Sequence, residues 1–262
     1  MPPENVNKMT TYEIITIIIA IIALVQPWAI ALCRKFFSKA EVSFIPSAKI
    51  KLYYNRSGAY IYLGGVIESK HKSTIVKNIS VKLIRQNDKA ELMMDWSSFI
   101  TPIFQSVGGN PVTTSEIARP FMVETNSLAP VFIEFANSDT MVNDRLCQIY
   151  EILINESKSI ANIATPFEQA KTELQSKEEY LKLHEELIEN FYWKATDYCI
   201  EMSIKYNDEQ VIIYKYKFSL SQNEASQLKE NIDKSMLYEI YRLYCQPINV
   251  GCLQKDFINL EE

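Results

Sequence analysis

Two histidines and five cysteines are the side chains of this chain best suited to metal binding, base catalysis or nucleophilic attack, and their spacing argues against all three. His71, between Lys70 and Lys72, reads as a solvated turn residue. His184 is followed by Glu185 and Glu186 but not by the second histidine of the H-E-x-x-H zinc motif, so a packing or capping role on a helix is expected. Cys33, Cys147, Cys199, Cys245 and Cys252 are odd in number and scattered, without a C-x-x-C pair. That is the pattern of separate reduced thiols rather than of a disulfide framework. The paired acids Glu178-Glu179 and Glu185-Glu186 read as a solvated helix face. No G-x-S-x-G elbow, kinase signature, dinucleotide fingerprint or calcium loop occurs, and Gly108-Gly109 lacks the lysine and spacing of a phosphate cradle. No catalytic, metal-binding or cofactor-binding residue is assigned, and the chain reads as a non-enzyme. An enzymatic alternative requires a deep polar pocket around Cys147, Cys199 or His184.

Tyrosine supplies a different chemistry. Tyr53, Tyr54, Tyr60 and Tyr62 crowd two neighbouring strand-like stretches. Where such rings point outward they form an aromatic recognition surface, and the plainer reading is packing across the strand pair. Tyr53, Tyr60 and Tyr62 are therefore candidates for an interaction surface, as are Gly108 and Gly109 in the polar, turn-rich stretch 105–118, which reads as a long exposed loop.

The elements that must carry these residues begin with an apolar run. Residues Ile14 to Cys33 contain no charge, and at about 1.5 Å rise per residue they reach roughly the 30 Å thickness of a bilayer core. A transmembrane helix is expected there, with Gln26 and Pro27 inside the span and Cys33 at its edge, where palmitoylation is an option. A cleaved signal is the rival reading, since Ala29-Ile30-Ala31 has the small-x-small form. The acidic leader, the length of the run and the following Arg34-Lys35 oppose it. Arg34, Lys35 and Lys39 outweigh Lys8 across the span, which by the positive-inside rule sets the N-terminus outside and the C-terminal domain in the cytoplasm.

Beyond Lys39 the chain carries 23 basic and 30 acidic residues, a charge of about −7 that makes it a poor partner for nucleic acid. Period-two alternation predicts strands around Ile50–Tyr54, Ile61–Ile67 and Ile79–Leu83, with weaker ones at 41–46, 90–95, 120–125 and 130–135. A short helix is expected over Val142–Leu153 and a longer one from Pro166, in which Phe167, Leu174, Leu181 and Ile188 recur every seven residues. A hairpin follows around Asn207-Asp208-Glu209, then a helix capped by Ser221 with Glu224, extending to Leu243. The resulting expectation is an α+β chain: a tail over 1–13, a transmembrane helix over 14–33, a basic linker over 34–40, and a β-sandwich-like domain over 41–262 with a helical insertion at 140–190 and a C-terminal helix.

The anchor ending in Arg34-Lys35-Phe36-Phe37, the glycines Gly58 and Gly64, and the stretches Val76-Lys77-Asn78-Ile79 and Trp96-Ser97-Ser98-Phe99 together resemble a group of bacterial single-pass membrane proteins with a cytoplasmic β-rich domain. The likeness runs through the N-terminal part of the chain, to Phe99. It implies an inner-membrane setting and carries over no activity and no functional residues. The function expected on these grounds is a membrane-anchored interaction or sensing module that meets the lipid bilayer and a protein partner. One alternative is a membrane-acting effector or channel-like component of a stress or phage-defence system, with homo-oligomers formed through the heptad-like helix. The other is an enzyme with a site of unfamiliar form.

Overall fold

The computed structural model describes residues 10–37, 39–107, 110–161, 165–207 and 209–259. Its first element, α1 (Thr11–Phe37), begins at Thr10, whose backbone N–H donates to Glu13 Oε2 at 2.7 Å while Glu13 N lies 3.4 Å from Thr10 Oγ1, a reciprocal cap. The stretch Thr11–Ile30 has a mean hydropathy of 2.2 and buries none of itself against the rest of the protein, so α1 is long and apolar enough to cross a membrane.

The remainder is α+β. Strands β1 (Glu41–Asn55), β2 (Gly58–Lys70), β3 (Thr74–Arg85), β4 (Glu91–Val107), β5 (Asn110–Ile117), β6 (Phe121–Val123) and β7 (Ser127–Asn137) come first. Helices α2 (Thr140–Ala161), α3 (Phe167–Gln175) and α4 (Glu178–Glu189) follow, then β8 (Thr196–Tyr206), β9 (Gln210–Leu220), α5 (Gln222–Met236), α6 (Tyr238–Leu243), β10 (Leu253–Asp256) and β11 (Ile258–Asn259).

All these strands belong to one antiparallel sheet rather than to two stacked ones, so the expected sandwich gives way to a different arrangement. The path runs β10-β1-β2-β7-β4-β3-β8-β9-β11, with β5 added to β4 and β6 to β3. Its two ends are the same piece of chain. Only Phe257 separates β10, paired with β1, from β11, paired with β9, so the C-terminus draws the sheet into a nearly closed barrel. Phe44 N also donates to Tyr214 Oη at 2.8 Å, tying β1 to β9 directly.

Alternation explains what fills it. Every second residue of β3 from Ile79 to Leu83, and of β8 from Tyr198 to Ile204, is buried, as are Ile50, Leu52, Ile61, Leu63, Ile133 and Phe135 on their strands. Among the described residues the barrel interior is a packed apolar core. At Gly65 β1 and β2 approach so closely that an added Cβ would lie 2.5 Å from the Phe44 ring and 2.7 Å from the Ile45 carbonyl oxygen.

Three sequence expectations need correction. Within the stretch expected to be a loop, 105–107 end β4 and Asn110–Ile117 form β5, which pairs with β4 antiparallel. The helix expected from Pro166 breaks at Ser176-Lys177 into α3 and α4, where Lys177 takes an extended conformation (ψ 144°). Its buried row then becomes Tyr180, Leu183 and Leu187, leaving Leu181 57% exposed. The final helix is likewise divided at Leu237 into α5 and α6.

Candidate recognition surface

Register decides which tyrosines meet. In β1 the inward residues are Leu52 and Tyr54, so Tyr53 points outward, and in β2 Ile61 points inward while Tyr60 and Tyr62 do not. Tyr53 pairs with Tyr60 across β1–β2, Tyr62 with Glu134 across β2–β7, and Glu134 with Ser98 across β7–β4. The outer face of four adjacent strands is thereby assembled into one half-buried polar and aromatic cluster.

Its geometry is specific. The Tyr53 ring stacks on Tyr60 with centroids 4.8 Å apart and on Tyr62 with centroids 5.1 Å apart. The Tyr53 hydroxyl donates to Glu134 Oε2 and lies 3.2 Å from the Tyr62 hydroxyl. On the far side, the hydroxyls of Ser97 and Ser98 each lie 3.1 Å from Glu134 Oε1. Consecutive residues on a regular strand face opposite ways. The register shifts between Trp96 and Ser98, and this irregularity lets both serines reach the same carboxylate. Burial pushes the Tyr53 phenol above its ordinary range, and the facing Glu134 carboxylate adds to this because a phenolate beside it would be repelled. Burial likewise raises Tyr62 and Tyr60. The cluster therefore presents neutral phenols around a carboxylate that accepts from at least one of them. Chemically it is an acceptor set in an aromatic frame, suited to a hydrogen-bond donor or cation rather than to bond cleavage.

The other sequence candidates are dispersed. Ile14, Gln26, Pro27 and Cys33 all lie on α1, and Lys39 is exposed after it; the side chains of Arg34 and Lys35 lie outside the described residues, as do Gly108 and Gly109. Cys147 is exposed on α2, while Cys199 is half-buried on β8, where burial raises its thiol pKa and so disfavours the thiolate. His184 stacks on Tyr180 and places Nε2 3.6 Å from Asp233 Oδ1, a contact between α4 and α5 rather than a base facing a thiol. Among the described residues no cluster of His, Cys, Asp or Glu is arranged to hold a metal ion. Of the cluster members, Glu134, Ser97 and Ser98 are not among the site residues expected from the sequence. A lone acid between apolar residues in Val131–Phe135 was the one available hint, since an outward glutamate there must find donors. The chain matches no known family model, no curated protein and no solved structure.

Proposed function

We propose that the chain is a single-pass membrane protein whose cytoplasmic barrel recognises a protein partner through the Tyr53–Tyr60–Tyr62–Glu134 surface. The observation that carries this reading is the cluster itself: three stacked or hydrogen-bonded tyrosines and a carboxylate on the outside of a barrel whose inside is filled. Aromatic side chains present large contact area at low entropic cost, and Glu134 offers an acceptor for a lysine, arginine or hydroxyl of the partner. The acidic balance of the chain beyond Lys39 favours a partner with a basic face. The uncharged stretch of α1 supports the anchor, and Lys39 with Arg34 and Lys35 supports the cytoplasmic side.

The test is a photoreactive residue in place of Tyr62 in the full chain, in its native membranes, with a second at Lys215 on β9 as reference. A discrete adduct from position 62 that is lost in the Glu134→Gln chain is the expected result. Equal yields from both positions, or none from 62, would overturn the assignment of this surface. Topology is read separately: a reporter active only in the cytosol, fused after the last residue, is expected to be active.

A further inference from the structure

The strand registers sort the barrel's turns into two ends. Glu41, where β1 starts, pairs with Lys70; Ser69 pairs with Ser127, Thr74 with Val123, and Val76 with Tyr206. The turns 71–73 and 124–126, together with Asn207 and Glu209 between β8 and β9, therefore share the end at which α1 enters. They are bound to one another: Thr125 N donates to Ser73 Oγ at 3.2 Å, Asn126 N to the Ser69 carbonyl at 2.7 Å, and Asn207 N to the Ile75 carbonyl at 2.9 Å. His71, Asn126 and Asn207 all have positive φ, so each turn is tight. Around this rigid rim stand Ile75 and Met122, cross-strand partners that are 46% and 62% exposed, and Leu128 at 61%. Val211 is exposed at the start of β9 on the same rim.

We infer that this rim docks on the lipid bilayer that α1 enters, with Ile75, Met122 and Leu128 reaching the headgroup–acyl boundary and Lys70 and Lys72 among the headgroups. The inference rests on the anchor reading of α1. Chain length supports the occupant: from Cys33 the last turn of α1 adds about 6 Å and the four residue steps from Phe37 to Glu41 at most about 14 Å of extended backbone, so this end of the barrel is kept at the membrane surface and the opposite end, where α4 leads into β8, is not. Lysines offset the acids of the rim in number: Lys70, Lys72 and Lys205 stand with Glu41, Glu68, Glu124 and Glu209, and two of these acids lie beside a lysine. Glu68 lies 3.6 Å from Lys70 Nζ, Glu41 3.7 Å from His71 Nε2 and Glu209 3.4 Å from Lys205 Nζ. What faces lipid is thus apolar side chains in a nearly neutral frame, the composition that partitions to a bilayer interface.

The experiment uses the full chain in vesicles of phosphatidylethanolamine and phosphatidylglycerol, its cysteines replaced by serine, with a nitroxide on Met122→Cys or, at the opposite end, Lys194→Cys. Expected is a several-fold lower collision rate with a water-soluble nickel chelate at 122 than at 194, with oxygen collisions reversed. Equal nickel accessibility at both sites in a chain that resists alkaline carbonate extraction overturns the docking while leaving the anchor intact. Release by carbonate overturns the anchor and the docking together. Hydrogen exchange of the unaltered chain guards against misfolded variants: amides of 120–129 are expected to be slower in vesicles than in an amphipathic polymer, and unchanged exchange there counts against docking.

Discussion

At one end of the barrel Trp193 is wholly buried, edge-on to Tyr192 and Tyr198, with its indole N–H 3.3 Å from the Tyr53 carbonyl oxygen; at the other, Met122 and Leu128 stand in the open. Both ends expose the open mouth of the same sheet, and each must do something with apolar side chains there. The end carrying Trp193 solves this with its own chain. Tyr54 donates to the Leu187 carbonyl of α4 at 3.0 Å, and Arg85 turns inward to donate to the Tyr192 carbonyl at 2.6 Å while Asp88 pairs with its outer edge. The end beside α1 has turns tied by hydrogen bonds, and among the described residues no helix is placed over it. Rigid turns with uncovered apolar residues are what a surface needs if its cover comes from outside the chain.

The sharpest way to break this contrast is to empty the covered end. Trp193→Ala leaves a void where the surrounding rings cannot all collapse, and the expected loss is about 3–5 kcal/mol in urea unfolding followed by circular dichroism. Met122→Ala at the open end should cost far less, since its side chain is already in solvent in the absence of lipid. Equal losses would mean that the two ends are built alike.

Next in size is Gly65→Ala, which tests the closure between the ends. The added methyl meets the Phe44 ring and the Ile45 carbonyl, and Phe44 in turn packs edge-on to Tyr214 with centroids 6.0 Å apart. A loss of about 1–3 kcal/mol is expected from this overpacking. A neutral result would show that β1 and β9 are free to part. Smaller again is Ser221→Ala, which removes the capping box that starts α5; about 1 kcal/mol is expected, read from the urea midpoint.

These positions also show what could be read without coordinates. Ser221 with Glu224 was legible because a capping box is a local pattern, and the 200–218 hairpin because its alternation is strict. The apolar helix was legible for the same reason. The barrel was not, because closure depends on Leu253–Asn259, a stretch too short for periodicity whose partners lie some 200 residues away on β1 and much nearer on β9. Tyr53, Tyr60 and Tyr62 were legible as a group, but Glu134, Ser97 and Ser98 enter through strand order and a register slip, neither of which leaves a mark in sequence. The heptad from Phe167 holds in part: Phe167, Leu174 and Ile188 pack on the core of their own domain, whereas Lys177 breaks the phase between α3 and α4 and leaves Leu181 outside.

A pH effect sharpens the account of the covered end. Hydrogen bonds from Arg85 hold Asp88 at a pKa of about 2, below its ordinary 3.8. A carboxyl depressed on folding contributes stability that is present above its unfolded pKa and lost as pH falls through the folded value. The contribution is thus intact above about pH 4 and fades between about 4 and 2. Asp88→Asn should flatten the acid limb of stability in that window, measured as urea midpoint against pH, and leave the response above pH 5 unchanged. An unaltered acid limb would remove Asp88 from the account.

The smallest expected effect belongs to Leu181→Lys. Leu181 is nearly as exposed as Met122, yet it stands alone on α4, where its neighbours Lys182 and Glu178 form an ordinary surface ion pair at 2.6 Å. Single exposed leucines are normal on protein surfaces, whereas Ile75, Met122 and Leu128 share one rim. The change should therefore shift stability by no more than about 0.5 kcal/mol and leave the nitroxide accessibility at position 122 as it was. It also bears on the heptad, because an intermolecular coil would use Leu181 as a core position and would lose its association on gaining a charge there. An unchanged sedimentation profile would leave the exposed rim as the place where apolar exposure has a purpose; a change in assembly would transfer that role to α4.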